Sequence, residues 1–321
     1  MAFRLTRFAL RKALRALLLA GLCAGAASLA RALQLTVPGE VTDLNAMRVY
    51  SHAHPMVNET PQTLKHKIDY LHHLAPAESQ EPLQGILQKV GANVADFFKN
   101  FTNSTCTEVV REERLRQDGT VDEDKTQEFN YVIVAKPGDK LFHLTEYRTD
   151  KSGKEMGVAP MGGATILTSG FATMQVHLLT DFQPDSRFLF LGHEKLKRKK
   201  DELVLAFAQT PGKARQAGLF ASQGMEVIIL LQGVAWIDPD TYQIDRMRTD
   251  LLAPRESIGL TRQTTDIIFG PVSFTNLPQP LWLPLQVDVE ITWNNIYFRN
   301  LSAYSHYKIF SVEAGQVKRS R

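Results

Sequence analysis

The stretch Leu283-Pro284-Leu285-Gln286-Val287-Asp288-Val289-Glu290-Ile291-Thr292-Trp293 decides the fold class of this chain. From residue 285 onward, apolar Leu, Val, Val and Ile alternate strictly with polar Gln, Asp, Glu and Thr. Side chains on a strand point to opposite faces in turn, so this pattern is typical of a strand with one face in a core and one in water. Antiparallel sheets commonly have such strands. The stretch therefore predicts a half-buried strand of an antiparallel sheet.

Strand-like segments extend from this stretch in both directions. They are separated by turn residues such as those at 117–119, 137–139 and 238–241. The segments lie at 105–116, 127–135, 140–149, 186–194, 202–209, 225–236, 242–252, 260–269, 283–293 and 297–310. Too few helices lie between them for strand–helix–strand crossovers. The sequence predicts a mainly β (α+β) fold with one large, curved antiparallel sheet, a half-open barrel.

Two apolar stripes at helical spacing interrupt the strands. The first, over residues 82–101, consists of Leu83, Ile86, Leu87, Val90, Val94, Phe97 and Phe98. The second, over residues 164–179, consists of Leu167, Phe171, Met174 and Leu178, although Gly170 within it disfavours a helix. We expect both helices to cover the concave face of the sheet.

A loose helical cover would leave a cavity, and the usual occupant of such a cavity is an apolar ligand. The predicted cavity residues are Leu167, Phe171, Met174, Leu178 and Trp236, with the segment 161–182 as the cover. The alternative is that the two helices simply complete a dry core. The sequence favours neither over the other.

The N-terminus has the pattern of a secretory signal peptide. Five basic residues lie between positions 4 and 15, an uncharged Ala/Leu/Gly-rich run spans 16–30, and Ala30-Arg31-Ala32 provides small residues for cleavage. The run is shorter than the roughly 20 residues that span a bilayer. We expect cleavage near Ala32 and a periplasmic or secreted protein. Loss of the six basic residues in 1–32 changes the net charge from +3 to −3, which argues against nucleic acid as a partner.

The remaining chain divides into three predicted parts. Residues 33–80 form an extended arm with a short helix at 63–74, residues 81–312 form the β domain, and residues 313–321 form a basic tail. The arm is rich in histidine. His52 and His54 are weak metal-ligand candidates, but no cysteine or carboxylate accompanies them at metal-ligand spacing. A solvated arm is the favoured interpretation.

The sequence contains no catalytic constellation that we recognise. The motifs G-x-S-x-G, G-x-x-x-x-G-K-[ST], H-E-x-x-H and C-x-x-C are all missing. Cys106 remains as a single cysteine after cleavage, and its strand-like context predicts a buried, inert thiol. No cofactor is predicted.

A basic run suggests a peripheral membrane contact. Within residues 195–200, all but the second are basic: Lys195, Lys197, Arg198, Lys199 and Lys200. Such a run can bind anionic lipid headgroups. It can equally be a solvated hairpin tip that protects a sheet edge from association, which is the favoured interpretation.

Several segments resemble exported lipoprotein-carrier proteins of the LolA/LolB type. The hairpin that begins Gly233-Val234-Ala235-Trp236-Ile237-Asp238 and runs to residue 251 resembles their late G-x-x-W-I-D hairpin. The segments 100–106 and 297–310 are also similar to uncharacterised secreted bacterial proteins. The resemblance covers about residues 83–310. It implies a half-open barrel with helices on its concave face and a cavity for acyl chains or a lipidated partner, and it supplies no catalytic residues.

Together these observations predict a periplasmic, non-enzymatic binding or carrier protein for a lipid, a lipoprotein or another apolar ligand. One alternative is a cell-envelope interaction or stress-sensing module that binds a partner protein through a sheet edge or the basic run. A second is a hydrolase of unrecognised type. Co-purifying acyl chains would favour the carrier, and capture of one envelope protein by an empty chain would favour the interaction module.

Overall fold

The computed structural model describes residues 44–136, 143–156, 168–195, 201–215, 218–222 and 225–310. Helices in these ranges are α1 (Leu44–Ser51), α2 (Pro61–Lys67), α3 (Leu83–Asn100) and the 3₁₀ helices Met56–Asn58, Asp69–Leu71, Thr173–Leu178, Gln183–Asp185 and Glu256–Ile258. Strands are β1 (Leu74–Pro76), β2 (Ser104–Leu115), β3 (Val121–Lys136), β4 (His143–Thr149), β5 (Glu155–Met156), β6 (Ser186–Lys195), β7 (Asp201–Gln209), β8 (Gly218–Ser222), β9 (Met225–Ile229), β10 (Leu231–Ile237), β11 (Ile244–Leu251), β12 (Leu260–Val272), β13 (Leu281–Trp293) and β14 (Ile296–Ile309). None of these helices is long and apolar enough to cross a membrane.

One open antiparallel sheet contains twelve of these strands. Its order is β1-β6-β7-β10-β11-β12-β13-β14-β2-β3-β4-β5, and β8 and β9 form a separate hairpin. Every pair in the large sheet is antiparallel, from β1–β6 at one edge to β4–β5 at the other. The edge strands β1 and β5 do not pair with each other, so the sheet does not close. The predicted fold class is confirmed.

Contacts of one short segment show that the sheet is curved. We call residues 168–182 the cover segment. Its Phe171 stacks on Tyr131 of β3 with ring centroids 6.3 Å apart, and its His177 stacks on Phe207 of β7 at 5.5 Å. Strands β3 and β7 are seven positions apart in the sheet, which would be about 34 Å in a flat sheet. Six residues of 3₁₀ helix rise only about 12 Å. The sheet must therefore wrap around the cover segment.

The inner face of the sheet forms the main core. Helix α3 contributes the predicted stripe, in which Val90 and Val94 are fully buried and Leu83 is partly buried. Inward side chains come from nearly every long strand, including Ile133, Leu205, Ala235, Ile267, Leu283 and Val287. The outer face of the sheet also carries apolar side chains, on strands β6, β7 and β10.

That second surface is covered by the segment between α1 and β1, which is helical rather than extended. Leu64 of α2 and Ile68 and Leu71 of the following turn are at most 1% exposed. They pack with Trp236 of β10 and with the outward residues Leu191, Val204, Ala206 and Val234. Strands β7 and β10, and the part of β6 around Leu191, are therefore packed on both faces.

Burial on both faces explains the apolar run 225–236, which the sequence analysis predicted as one strand. Residues Leu203–Gln209 of β7 and all of β10 are buried, so neither strand shows alternation. The run is in fact two strands, because β9 ends at Ile229 in the small hairpin and β10 begins at Leu231 in the large sheet. The sequence gives no sign of the boundary at Leu230, because the residues on both sides of it are apolar.

Two further predictions need correction. Leu285 was expected in the core, but it is 38% exposed, because a bulge pairs Ile268 with Gln286 and Phe269 with Pro284 and leaves Leu285 out of the ladder. The helix expected over 164–179 is the 3₁₀ helix Thr173–Leu178, which starts after Gly170 with its positive φ of 94°. The positive φ ends any regular helix at that glycine.

Leu64→Ala should lower the free energy of unfolding by about 2–5 kcal/mol, because it removes a buried side chain from beneath the sheet and leaves a cavity. The matched control Leu285→Ala should cost less than about 1 kcal/mol, since Leu285 is partly exposed at the bulge. Urea unfolding followed by tryptophan fluorescence measures both values. Equal losses for the two variants would show that α2 does not pack on the outer face.

Candidate ligand-binding site

The cover segment lies against the inner face through an almost continuous apolar surface. Phe171 is 2% exposed and Leu178 is fully buried, and Met174 is partly buried against the same cluster. The Phe171 ring also contacts Tyr304 of β14, with centroids 6.4 Å apart. Three predicted cavity residues thus lie together on the cover segment. Leu167, predicted with them, lies outside the described residues.

Trp236 does not belong to this group. It is fully buried, but it packs with Leu64, Ile68 and Leu71 on the outer face of the sheet. Its neighbours Ala235 and Ile237 point to the inner face, and successive side chains of a strand alternate between faces. The prediction that Trp236 lines the same cavity as Phe171 is therefore wrong.

A buried carboxylate anchors the beginning of the cover segment. Glu146 of β4 is 5% exposed and accepts hydrogen bonds from the backbone N–H groups of Ala172 (3.2 Å) and Thr173 (2.9 Å). The Thr173 hydroxyl donates a third at 2.5 Å, and the Tyr131 hydroxyl donates a fourth at 2.7 Å. Because hydrogen bonds to a buried charge are strong, this single side chain fixes where the segment meets the sheet.

Arg148, two residues further along β4, provides the second anchor. Its Nη1 donates to the Thr168 carbonyl oxygen at 2.8 Å. The rest of the guanidinium forms a two-pronged ion pair with Glu108 of β2, at 2.5 Å from Nε and 2.7 Å from Nη2. Tyr304 donates to the same carboxylate at 2.7 Å. The charge of Arg148 is thus already balanced within the sheet.

The environment of this network keeps the guanidinium of Arg148 charged and the hydroxyls of Tyr131 and Tyr304 protonated. Burial disfavours the charge on Arg148, but the adjacent Glu108 carboxylate more than offsets this and raises the pKa of the guanidinium. Burial, and then the nearby carboxylates, hold the pKa of Tyr131 and of Tyr304 well above the usual value. The tyrosine hydroxyls therefore stay protonated and act as donors.

Helix α3 supports the other end of the cover segment. The Gln183 side chain, just after the segment, donates to the backbone oxygens of Leu87 (2.9 Å) and Leu178 (2.8 Å). Gly91 of α3 faces Thr180 so closely that an added Cβ would lie 3.2 Å from the Thr180 backbone nitrogen and closer still to its hydroxyl. The absence of a side chain at Gly91 therefore allows the helix and the cover segment to touch.

Two surface cavities among the described residues lie away from the inner core. One of about 150 Å³ is on the outer face beside Tyr70, Arg246 and Asp266. The other, about 460 Å³, is at the strand ends near Arg116 and Ile296. Beneath the described part of the cover segment the core is filled by side chains. A ligand can enter there only where the segment gives way.

Other predicted site residues are not brought into this region. His52 and His54 lie in the N-terminal arm, where both are exposed, and the described residues contain no cluster of three or more His, Cys, Asp or Glu suited to a metal ion. Lys195 ends β6, while Lys197, Arg198, Lys199 and Lys200 lie outside the described residues. The predicted membrane contact stays a prediction.

Cys106 is buried on the inner face, as the sequence predicted. Burial raises the pKa of its thiol to about 12, although a hydrogen bond with Tyr307 acts in the opposite direction. Because the thiolate is the reactive form of cysteine, this thiol is unreactive at neutral pH.

The sequence analysis missed the buried network of Glu108, Glu146 and Arg148. A signal for it exists in the strand period. Glu108 lies in phase with the buried residues Cys106 and Val110, and Glu146 and Arg148 lie in phase with Leu144. A charged residue at an inward position of a strand is unusual and points to a buried polar site.

Comparisons with known proteins give similarities of structure. No protein-family profile and no curated protein sequence matches the chain. Among solved structures, a LolA superfamily protein from Nitrosomonas europaea is 12% identical, with 72% of this chain and 94% of that chain covered and a TM-score of 0.35. A DUF1329 family protein from Desulfovibrio piger is 12% identical, with 71% and 93% covered and a TM-score of 0.38. A domain from Vibrio parahaemolyticus described as an outer membrane lipoprotein-sorting protein is 12% identical, with 72% and 94% covered and a TM-score of 0.37. A likeness at this level concerns the course of the chain and does not identify a ligand.

Gly91→Ala should destabilise the protein, whereas Gly85→Ala in the same helix should stabilise it by about 0.5–1 kcal/mol. Alanine is the better helix former at both positions. An added Cβ at Gly85 meets nothing within 4 Å, but at Gly91 it would lie 2.8 Å from the Gln183 side chain and press on Thr180. Thermal unfolding of the two variants beside the parent gives the comparison. Stabilisation by both substitutions would exclude close contact between α3 and the cover segment.

His177 should make stability fall with acidification. Burial lowers its pKa from 6.5 to about 4, with Asp185 acting in the opposite direction. Between these pH values the unfolded chain binds a proton that the folded chain does not, so stability is lost as pH falls, by up to about 1.4 kcal/mol per pH unit. His177→Phe should be less sensitive to pH in this window, measured by urea unfolding at pH 7 and pH 5. An unchanged pH slope in His177→Phe would contradict the burial of a neutral imidazole.

Proposed function

We propose that this chain is a non-enzymatic binding protein that carries an apolar or amphiphilic ligand between the inner face of its sheet and the cover segment. The observation that carries the proposal is the way in which the cover segment is held. It belongs to no strand of the sheet, and its contacts with charged groups of the sheet are concentrated at one end, at Glu146 and Arg148. Further along, Gln175 donates a hydrogen bond to the Trp282 carbonyl oxygen (3.1 Å), and the remaining contact with the inner face is mainly apolar.

A surface of this kind suits exchange between a protein segment and a hydrocarbon chain. Apolar contacts depend on area rather than on direction, so an acyl chain can replace the side chains of Phe171 and Met174 on the same inner face. The aromatic rings of Tyr131 and Tyr304, which now contact Phe171, would contact the ligand. The core beneath the cover is filled, so uptake requires displacement of the segment.

The N-terminal pattern supports a proposal about where the protein acts. The basic region, the apolar run 16–30 and the small residues around Ala32 support export, and we propose that the mature chain acts in the periplasm or outside the cell. A protein whose apolar face is shielded by a segment of its own chain can carry an amphiphile through an aqueous compartment.

Two observations count against the alternative functions. Among the described residues the strands at the two edges are short, because β1 has three residues, including Pro76, and β5 has two, and short edge strands and proline discourage pairing with a partner strand. The raised pKa of the Cys106 thiol is the reverse of what a nucleophilic cysteine requires. Neither an edge-binding module nor a thiol hydrolase gains support from the described residues.

Phe171→Asp and Met174→Asp should each abolish ligand uptake, because in the loaded protein the displaced cover segment lies over the ligand, and a charge on its apolar surface would be buried against the ligand without a partner. The chain is purified without detergent and its bound lipid is quantified by native mass spectrometry and solvent extraction. Ile296→Asp, at a residue 40% exposed on β14, is the matched control and should retain the bound lipid. Circular dichroism and urea unfolding identify variants that remain folded. Full lipid loading in a folded Met174→Asp protein would remove the cover segment from the proposed site.

A further inference from the structure

We propose that Glu146 and Arg148 select an amphiphile whose head is an amide, which donates an N–H group and offers a carbonyl oxygen, over one whose head is a carboxylate. This inference rests on the proposed function and names the class of ligand. It follows from the hydrogen-bonding groups that the sheet presents to the cover segment.

Movement of the cover segment away from the sheet breaks hydrogen bonds of both Glu146 and Arg148. Glu146 accepts four hydrogen bonds, and three of them come from the segment, namely from the Ala172 N–H, the Thr173 N–H and the Thr173 hydroxyl. The fourth, from Tyr131, lies within the sheet. Arg148 loses the Thr168 carbonyl oxygen but keeps Glu108. The exposed polar patch therefore lacks N–H donors at Glu146 and one carbonyl acceptor at Arg148.

Leaving Glu146 and Arg148 without these hydrogen-bond partners costs free energy. An ionised carboxylate in an apolar site is strongly disfavoured unless donors replace those it has lost. A hydrocarbon chain alone restores none of them. A ligand that binds well must therefore replace the hydrogen bonds that the cover segment makes to Glu146 and Arg148. An amide can do so, because it carries an N–H donor and a carbonyl acceptor on adjacent groups.

The three charged side chains Glu108, Glu146 and Arg148 together carry a net negative charge. An arginine in a lipid pocket would ordinarily suggest an anionic head, but the guanidinium of Arg148 is held by both oxygens of Glu108, which is fully buried. Glu108 and Arg148 together are neutral, and Glu146 adds one negative charge. The hydroxyls of Tyr131 and Tyr304 remain protonated, because burial raises the pKa of each. A carboxylate head would thus meet a net negative patch and be repelled.

The test compares two ligands with the same chain and different heads. Oleamide and oleate displace the fluorescent hydrocarbon diphenylhexatriene from the delipidated full-length mature protein at pH 8. Oleamide should compete at about a tenfold lower concentration, since each hydrogen bond to an ionised group is worth about that factor. In Glu146→Gln the negative charge is gone, so oleate should bind more tightly and the tenfold preference should shrink to about twofold or less.

Glu128→Gln is the matched control. It makes the same substitution on β3 at a glutamate whose side chain is 52% exposed, where Lys151 pairs with it at the surface. This variant should retain the preference of the parent protein. Thr173→Val is a second variant that leaves Glu146 in place and removes one donor of the cover segment. Both ligands should then bind more tightly, with their ratio unchanged, because the segment competes less well for the sheet.

The outcomes separate the two proposals. If diphenylhexatriene does not bind, the proposed function fails. If it binds but oleate competes as well as oleamide, or if Glu146→Gln leaves the preference intact, the selection by Glu146 is wrong and the carrier function stands. Should Glu146→Gln not fold, unchanged affinities in Thr173→Val would overturn the exchange between cover and ligand on which the selection depends.

Discussion

An antiparallel sheet of twelve strands that does not close must keep apolar side chains on two faces away from water, and this constraint shapes the rest of the molecule. On the inner face the solution is α3 and the cover segment. On the outer face it is the chain between α1 and β1, which buries Trp236 beneath Leu64, Ile68 and Leu71. The strands between the two layers, β7 and β10, are consequently the most deeply buried part of the fold.

The polar network on β4 determines how the inner cover is placed. Apolar contacts alone would allow the segment to slide, since they depend on area and not on direction. Glu146 and Arg148 remove this freedom, because three donors and one acceptor of the segment must meet them at fixed distances. Buried charges of this kind are costly in free energy, and specificity of placement is one reason for a fold to retain them. The same property gives the site a preference for particular head groups.

The parts of the fold that could be predicted from the sequence are those in which burial on one face leaves a period. Helix α3 and strand β13 show such periods, and both were located to within about two residues. The N-terminal arm was not predicted as an outer layer, because the partner of its short Leu64/Ile68 stripe is more than a hundred residues away in the chain. The boundary between β9 and β10 was missed because burial on both faces removes alternation. At the candidate site, the spacing of Phe171, Met174 and Leu178 predicted that they share one apolar surface, whereas Glu146 and Arg148 were not predicted, because charged residues in a strand ordinarily lie in water.

The two covers of the sheet are held by different kinds of contact. Strands β7 and β10 and part of β6 are packed on both faces, and the β1 edge beside them is closed tightly enough that a Cβ at Gly192 would lie 2.6 Å from the Ala77 nitrogen. The other edge ends in the two residues of β5, next to the strand that carries Glu146. The polar anchors of the cover segment, Glu146 and Arg148, thus lie in the half of the sheet opposite the β1 edge. Release of those anchors would free the N-terminal end of the segment, whereas the stacking of His177 on Phe207 of β7 would still hold its other end.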